Sequence, residues 1–130
     1  MPLKYRRPLL FILVGSAAAL AHFLTVVLIV ETLGLTPLAA NIIGWLCAFW
    51  VSYGGHYSLT FADRYAAPWK SARRFFLLSA AGFSINESSY AILLRVMPLP
   101  YYVSLAIVLT GVATLTYFLS HRWAFQGRAP

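Results

Sequence analysis

The chain has 130 residues, of which 61% are hydrophobic and only 10% charged. A soluble domain carries about a quarter of its residues as charges, so this chain lacks the polar groups to cover a water-facing surface and reads as an integral membrane protein. Its basic excess, ten Lys and Arg against three Asp and Glu, sits at the ends of apolar runs, which argues against nucleic acid. Cys47 stands alone, which excludes an intramolecular disulfide and a thiolate metal cluster.

In chain order, Lys4, Arg6 and Arg7 precede a first apolar run over 8–30, which carries Gly15 and His22. Basic residues, an apolar run and Ala19-Leu20-Ala21 also resemble a secretory signal with its cleavage site. Cleavage there would discard a helix that has a counterpart later in the chain, so retention is the expectation. Gly34 and Pro37 end this run, and a second spans 38–61. It places Asn41, Gly44, Ala48, Ser52 and Gly55 on one helical face, a pattern that lets helix backbones approach closely. A polar stretch over 63–74, with Arg64, Lys70, Arg73 and Arg74, reads as a central loop. The third run covers 75–97 and holds Asn86 and Glu87 near its middle; Pro98 and Pro100 separate it from the fourth, 101–125, which ends beside His121 and Arg122.

Each run reaches the roughly 20 residues a helix needs to cross about 30 Å of hydrocarbon. Backbone groups in lipid must be satisfied internally, and the alternation of a barrel strand is absent, so the expected fold is all-α: a single domain over 1–130 with four transmembrane helices. Nine of the ten basic residues fall on one side of that topology, leaving Arg95 on the other. The positive-inside rule then puts both termini and the central loop in the cytoplasm.

The halves repeat. Arg7 to Gly15 has the spacing of Arg74 to Gly82, and Pro37 and Pro100 each precede the second helix of their half. Tyr53, Tyr57, Phe61 and Arg64 have the spacing of Tyr117, His121, Phe125 and Arg128. Two helical hairpins in the same orientation imply a pseudo-twofold axis along the membrane normal, the parallel kind of transporter repeat.

No acid–base pair, nucleophile triad, phosphate-binding Gly loop or metal-ligand spacing is present, so neither catalysis, nor a metal, nor a cofactor is expected. Glu87 is the most informative residue, because a charge there costs at least about 2.5 kcal/mol in lipid. It reads as part of a polar path or a protonatable group for coupling, with Asn86 beside it, against the plainer role of tying helices together. His22, Asn41 and Ser52 are candidates for the same path, His22 more simply as a helix–helix hydrogen-bond partner. At the inner boundary His56, Arg73, Arg74, His121 and Arg122 could hold a phosphate, since Arg forks bind it bidentately. Topology and an aromatic belt explain most of them unaided.

These features resemble the GtrA-like family of small four-span membrane proteins over nearly the whole chain. The carrying motifs are Phe11-x2-Val14-Gly15 with His22 seven residues later, the small and polar second span from Asn41, and aromatic closing motifs at the ends of spans two and four. Family members tend to show Phe-x2-Asn-(Arg/Lys)-x-Trp-x-Phe in the closing motif. Here the copies read Tyr53-Gly-Gly-His56-Tyr57-Ser-Leu-Thr-Phe61 and Tyr117-Phe-Leu-Ser120-His121-Arg-Trp123-Ala-Phe125. The usual Asn is thus His56 and Ser120, and the usual basic residue Tyr57 and His121. The resemblance implies a bacterial inner-membrane protein that moves a polyprenyl-phosphate-linked monosaccharide between leaflets for cell-surface polysaccharide synthesis, alongside glycosyltransferase partners. Rival expectations are a proton-coupled exporter of small hydrophobic cations and a noncatalytic subunit that recruits a glycosyltransferase. Four helices enclose little interior, so a homodimer is also expected.

Overall fold

A computed structural model of the chain describes the backbone at residues 2–60 and 68–126, and side-chain surroundings at residues 2, 4–59 and 72–115. Among the described residues the fold is all-helical. α1 runs Leu3–Leu33, α2 Pro37–Gly55, α3 Pro68–Val96 and α4 Tyr101–Gln126. At about 1.5 Å per residue, 31, 29 and 26 residues make α1, α3 and α4 about 46, 44 and 39 Å long. Each exceeds the hydrocarbon thickness of a bilayer. α2 is 19 residues, but its backbone continues without a break into a π-helical turn, His56–Thr60.

The connections follow from local chemistry. α1 stops where Gly34 takes a left-handed conformation at φ 65° and returns its N–H to the Val30 carbonyl. Two residues on, Thr36 caps α2, its hydroxyl accepting from the Ala39 N–H at 3.3 Å, with Pro37 in the first turn. Pro98 and Pro100 interrupt the chain between α3 and α4, and the Pro100 carbonyl accepts from the Val103 and Ser104 amides as α4 begins.

Two helix starts differ from the sequence reading. α3 begins at Pro68, so Arg73 and Arg74, read as the end of a polar loop, lie within its opening turns. α1 begins at Leu3 and carries Pro8 inside it, where the apolar run had suggested a start at Pro8. In both cases hydropathy marks where lipid contact can begin, while the helix itself continues past that limit.

Chain neighbours pack in succession, α1 on α2, α2 on α3 and α3 on α4, and α4 returns more sparsely to α1. The α1–α2 seam is the tightest. A Cβ on Gly44 would lie 2.7 Å from His22 and Val26 side-chain atoms and 3.0 Å from the His22 carbonyl; one on Gly55 would lie 2.6 Å from Val14 Cγ1. The close approach foreseen for the small face of the second span is therefore real at these two glycines. The apolar core is small: Val26, Ala40, Tyr90, Leu105 and Val108, drawn from all four helices.

Large apolar side chains are instead turned outward. Leu13, Leu20, Leu24 and Leu28 form an exposed stripe on α1, joined by Trp50, Leu77, Leu78, Ile85, Ile92 and Ile107 on the other helices. Water would not tolerate such a continuous apolar surface; lipid requires it. α1 and α2 are long and apolar enough to cross a membrane, and the described part of α4, Tyr101–Leu115, is a shorter apolar helix. α3 is the polar one, with Ser79, Ser84, Asn86, Glu87, Ser88 and Ser89 along it. Its exposed hydroxyls do not go unmet: Ser84 donates to the Ala80 carbonyl at 2.9 Å and Ser88 to that of Ser84 at 2.8 Å.

Candidate functional site

The residues singled out within the spans converge. His22 on α1 donates through Nε2 to Asn41 Oδ1 on α2 at 2.6 Å. The Asn41 amide in turn donates to Asn86 Oδ1 at 2.8 Å and to Glu87 Oε2 at 3.2 Å, both on α3. Asn41 is the hub, fully buried and with its oxygen and both its hydrogens in use. Its bond to His22 requires the tautomer protonated at Nε2, so Nδ1 is left as an acceptor. His22 and Asn86 are buried, whereas Glu87 is half-exposed, and its second oxygen has no partner among the described residues. The arrangement is a carboxyl group presented at the edge of a polar network that is otherwise closed.

Local sequence explains why it assembles there. Gly44 lets the α2 backbone lie against His22, which brings the imidazole within reach of Asn41 one turn earlier on α2. Below the network, Trp45 stacks on Phe83 with ring centroids 4.7 Å apart, and its indole N–H donates to Ser79 Oγ at 2.7 Å. That pair fixes the α2–α3 register that aligns Asn41 with Asn86 and Glu87. Ser52, the remaining path candidate, is half-buried and eleven residues past Asn41, about 16 Å further along α2. The structure leaves it outside the network.

The inner-boundary candidates separate. His56 is buried, stacked on Phe11 at 4.8 Å and edge-on to Phe75 at 6.0 Å, at the start of the π-helical turn. Arg73 and Arg74 are exposed at the start of α3. The side chains of His121 and Arg122 lie outside the described residues, as do Arg64, Lys70 and Trp123. Phe11 and Val14 of the first-span motif meet His56 and Gly55 of the second-span closing motif. Two motifs far apart in sequence therefore form one contact between helices.

At the other end, three groups that sequence reasoning did not join are tied together. Tyr101 donates its hydroxyl to Glu31 Oε1 at 2.6 Å, binding α4 to α1, and Tyr90 donates to the Tyr101 carbonyl at 3.0 Å, binding α3 to α4. In the sequence Glu31 is marked only by its place near the end of the first apolar run. Tyr90 lies four residues past Asn86, a spacing that puts it on the same buried face.

The profile of the GtrA/DPMS transmembrane domain matches residues 10–125. The chain belongs to this family. Membership makes it a membrane protein of glycosyl-lipid translocation or synthesis. The matched region contains all four residues of the buried network and the Phe11–His56 contact. No curated protein and no solved structure gives a significant match.

Proposed function

We propose that the protein flips a polyprenyl-phosphate-linked monosaccharide across the bacterial cytoplasmic membrane, without covalent catalysis. The observation that carries this reading is the Glu87 carboxyl, held by Asn41 and partly exposed in a bundle whose outer surface is largely apolar. Polar groups at that depth are rare unless they serve a path. The headgroup passes between helices beside Asn86 and Glu87, while the isoprenoid tail stays in lipid. Arg73 and Arg74, with Arg122 and His121, meet the phosphate at the cytoplasmic face, where both termini lie. His56, enclosed by Phe11 and Phe75, supports that face by packing. A glycosyltransferase supplies the lipid-linked sugar, another consumes it outside, and a homodimer completes the enclosure that four helices leave small.

A sidedness assay tests this: proteoliposomes holding labelled polyprenyl-phosphate sugar, with wild type, Glu87→Gln and Glu87→Leu. A Gln carbonyl still accepts from Asn41, so Glu87→Gln folds as wild type while translocation falls; Glu87→Leu folds and also fails to transport. If Glu87 only ties helices together, the order reverses: Gln substitutes freely and Leu is the damaging change. The partly exposed acid also suits a proton-coupled exporter of small cations. Cation transport by the same vesicles, with no movement of the lipid-linked sugar, would select that function. A recruiting subunit would transport neither.

A further inference from the structure

The charges inside the bundle say which headgroup it accepts. From Pro8 to Thr60, from Phe75 to Leu94 and from Tyr101 to His121 the sequence has no Lys or Arg. Glu31, at the end of α1, accepts from Tyr101, which leaves Glu87 as the one acid deep in these segments. The rest of the network is uncharged: both Asn41 hydrogens are engaged, His22 spends its Nε2 proton on Asn41, and Asn86 offers a neutral amide. An entering headgroup therefore meets the second oxygen of Glu87 as an acceptor, the neutral Asn86 amide beside it, and no cation.

Resting on the lipid-linked-sugar reading above, we infer that Glu87 receives a neutral or amino-substituted sugar, and that an acidic sugar such as a uronate is rejected. Sugar hydroxyls donate to a carboxylate, and an ammonium group does so with charge assistance. A uronate carboxylate would bring a second acid into a low-dielectric space that offers no positive partner, and would face Glu87 as well. The phosphate is common to every lipid-linked sugar of this type, so it cancels when headgroups on one carrier are compared.

The experiment uses three polyprenyl phosphates with the same tail, bearing a hexose, the corresponding hexuronate and an aminodeoxyhexose. Competitive binding to the full chain in nanodiscs is read by native mass spectrometry, and flipping by the sidedness assay, for wild type and Glu87→Gln. Wild type should bind the hexose about tenfold or more over the hexuronate, and the aminodeoxyhexose at least as well as the hexose. Glu87→Gln should erase the advantage of the amino sugar and narrow the gap to the hexuronate. A hexuronate bound as well as the hexose by wild type would overturn the inference, as would an unchanged ranking in Glu87→Gln. Absence of binding by all three would overturn it too. Selective binding without flipping would sink the transport reading and leave the headgroup assignment standing. Thermal unfolding of Glu87→Gln close to wild type excludes misfolding as the cause of a changed ranking.

Discussion

Asn41 holds three hydrogen bonds to two other helices from a fully buried position. Its removal strands His22 and Asn86 among apolar neighbours, where neither reaches water. Interhelical bonds in membranes average about 0.6 kcal/mol each, so Asn41→Ala should cost about 2 kcal/mol. His22→Leu removes a single bond and should cost well under half of that. Reversible unfolding in mixed detergent micelles measures both; equal losses would show that Asn41 is not the hub. The members of this network were legible in the sequence because polar residues at mid-span announce themselves by their cost. Their pairing was not, since three helices must first be set in register. Ser52 shows the limit of the helical-face argument: it shares a stripe with Asn41 yet lies about three turns away. Ser104 is the opposite case, an unremarkable serine on α4 that is fully buried with its hydroxyl unpaired among the described residues.

Among the elements, the glycines separate packing from path. Gly44 lies against His22 and Val26, including a backbone carbonyl that cannot rotate away. Gly44→Ala must therefore push α1 from α2, at about 1–3 kcal/mol as for other overpacked sites. Gly15, Gly82 and Gly111 have nothing within 4 Å of an added Cβ. Gly82→Ala should be neutral or stabilise by up to about 1 kcal/mol through helix propensity. The same unfolding assay separates them, and a Gly44→Ala protein as stable as wild type would refute the tight α1–α2 contact. Helix number and order were readable from hydropathy and prolines. The starts of α1 and α3 were not, because Lys4 to Arg7 and Lys70 to Arg74 are helical residues beyond the apolar run. Charge reports the boundary of the hydrocarbon, and the backbone is indifferent to it.

For the whole molecule, the family match and the outward-facing apolar surface make it a membrane protein, and the basic residues predict an orientation that an experiment can test. Lys4, Arg6, Arg7, Arg73 and Arg74 lie at the ends of α1 and α3 opposite to Glu31 and Arg95. Charges of this kind favour the cytoplasmic side. A single-cysteine test reads the outcome directly. Cys47 is exposed on the apolar flank of α2, so Cys47→Ala gives a background without thiols and with little change in packing. Thr36→Cys, in the exposed turn between α1 and α2, should label with an impermeant thiol reagent applied to intact cells. Ser71→Cys, near the start of α3, should label only after the membrane is opened. Thr36 and Ser71 lie toward opposite ends of the bundle, because α3 runs antiparallel to α2, as the Asn41–Asn86 and Phe49–Phe75 contacts require. Labelling of Ser71→Cys alone from outside would invert the orientation and move the basic end to the outer face. The phosphate site proposed at Arg73 and Arg74 would then face away from the compartment where the lipid-linked sugar is made. Labelling of both positions from outside would instead mean that α2 does not cross the membrane, and the four-span arrangement that sets Asn41 against Asn86 and Glu87 would be overturned.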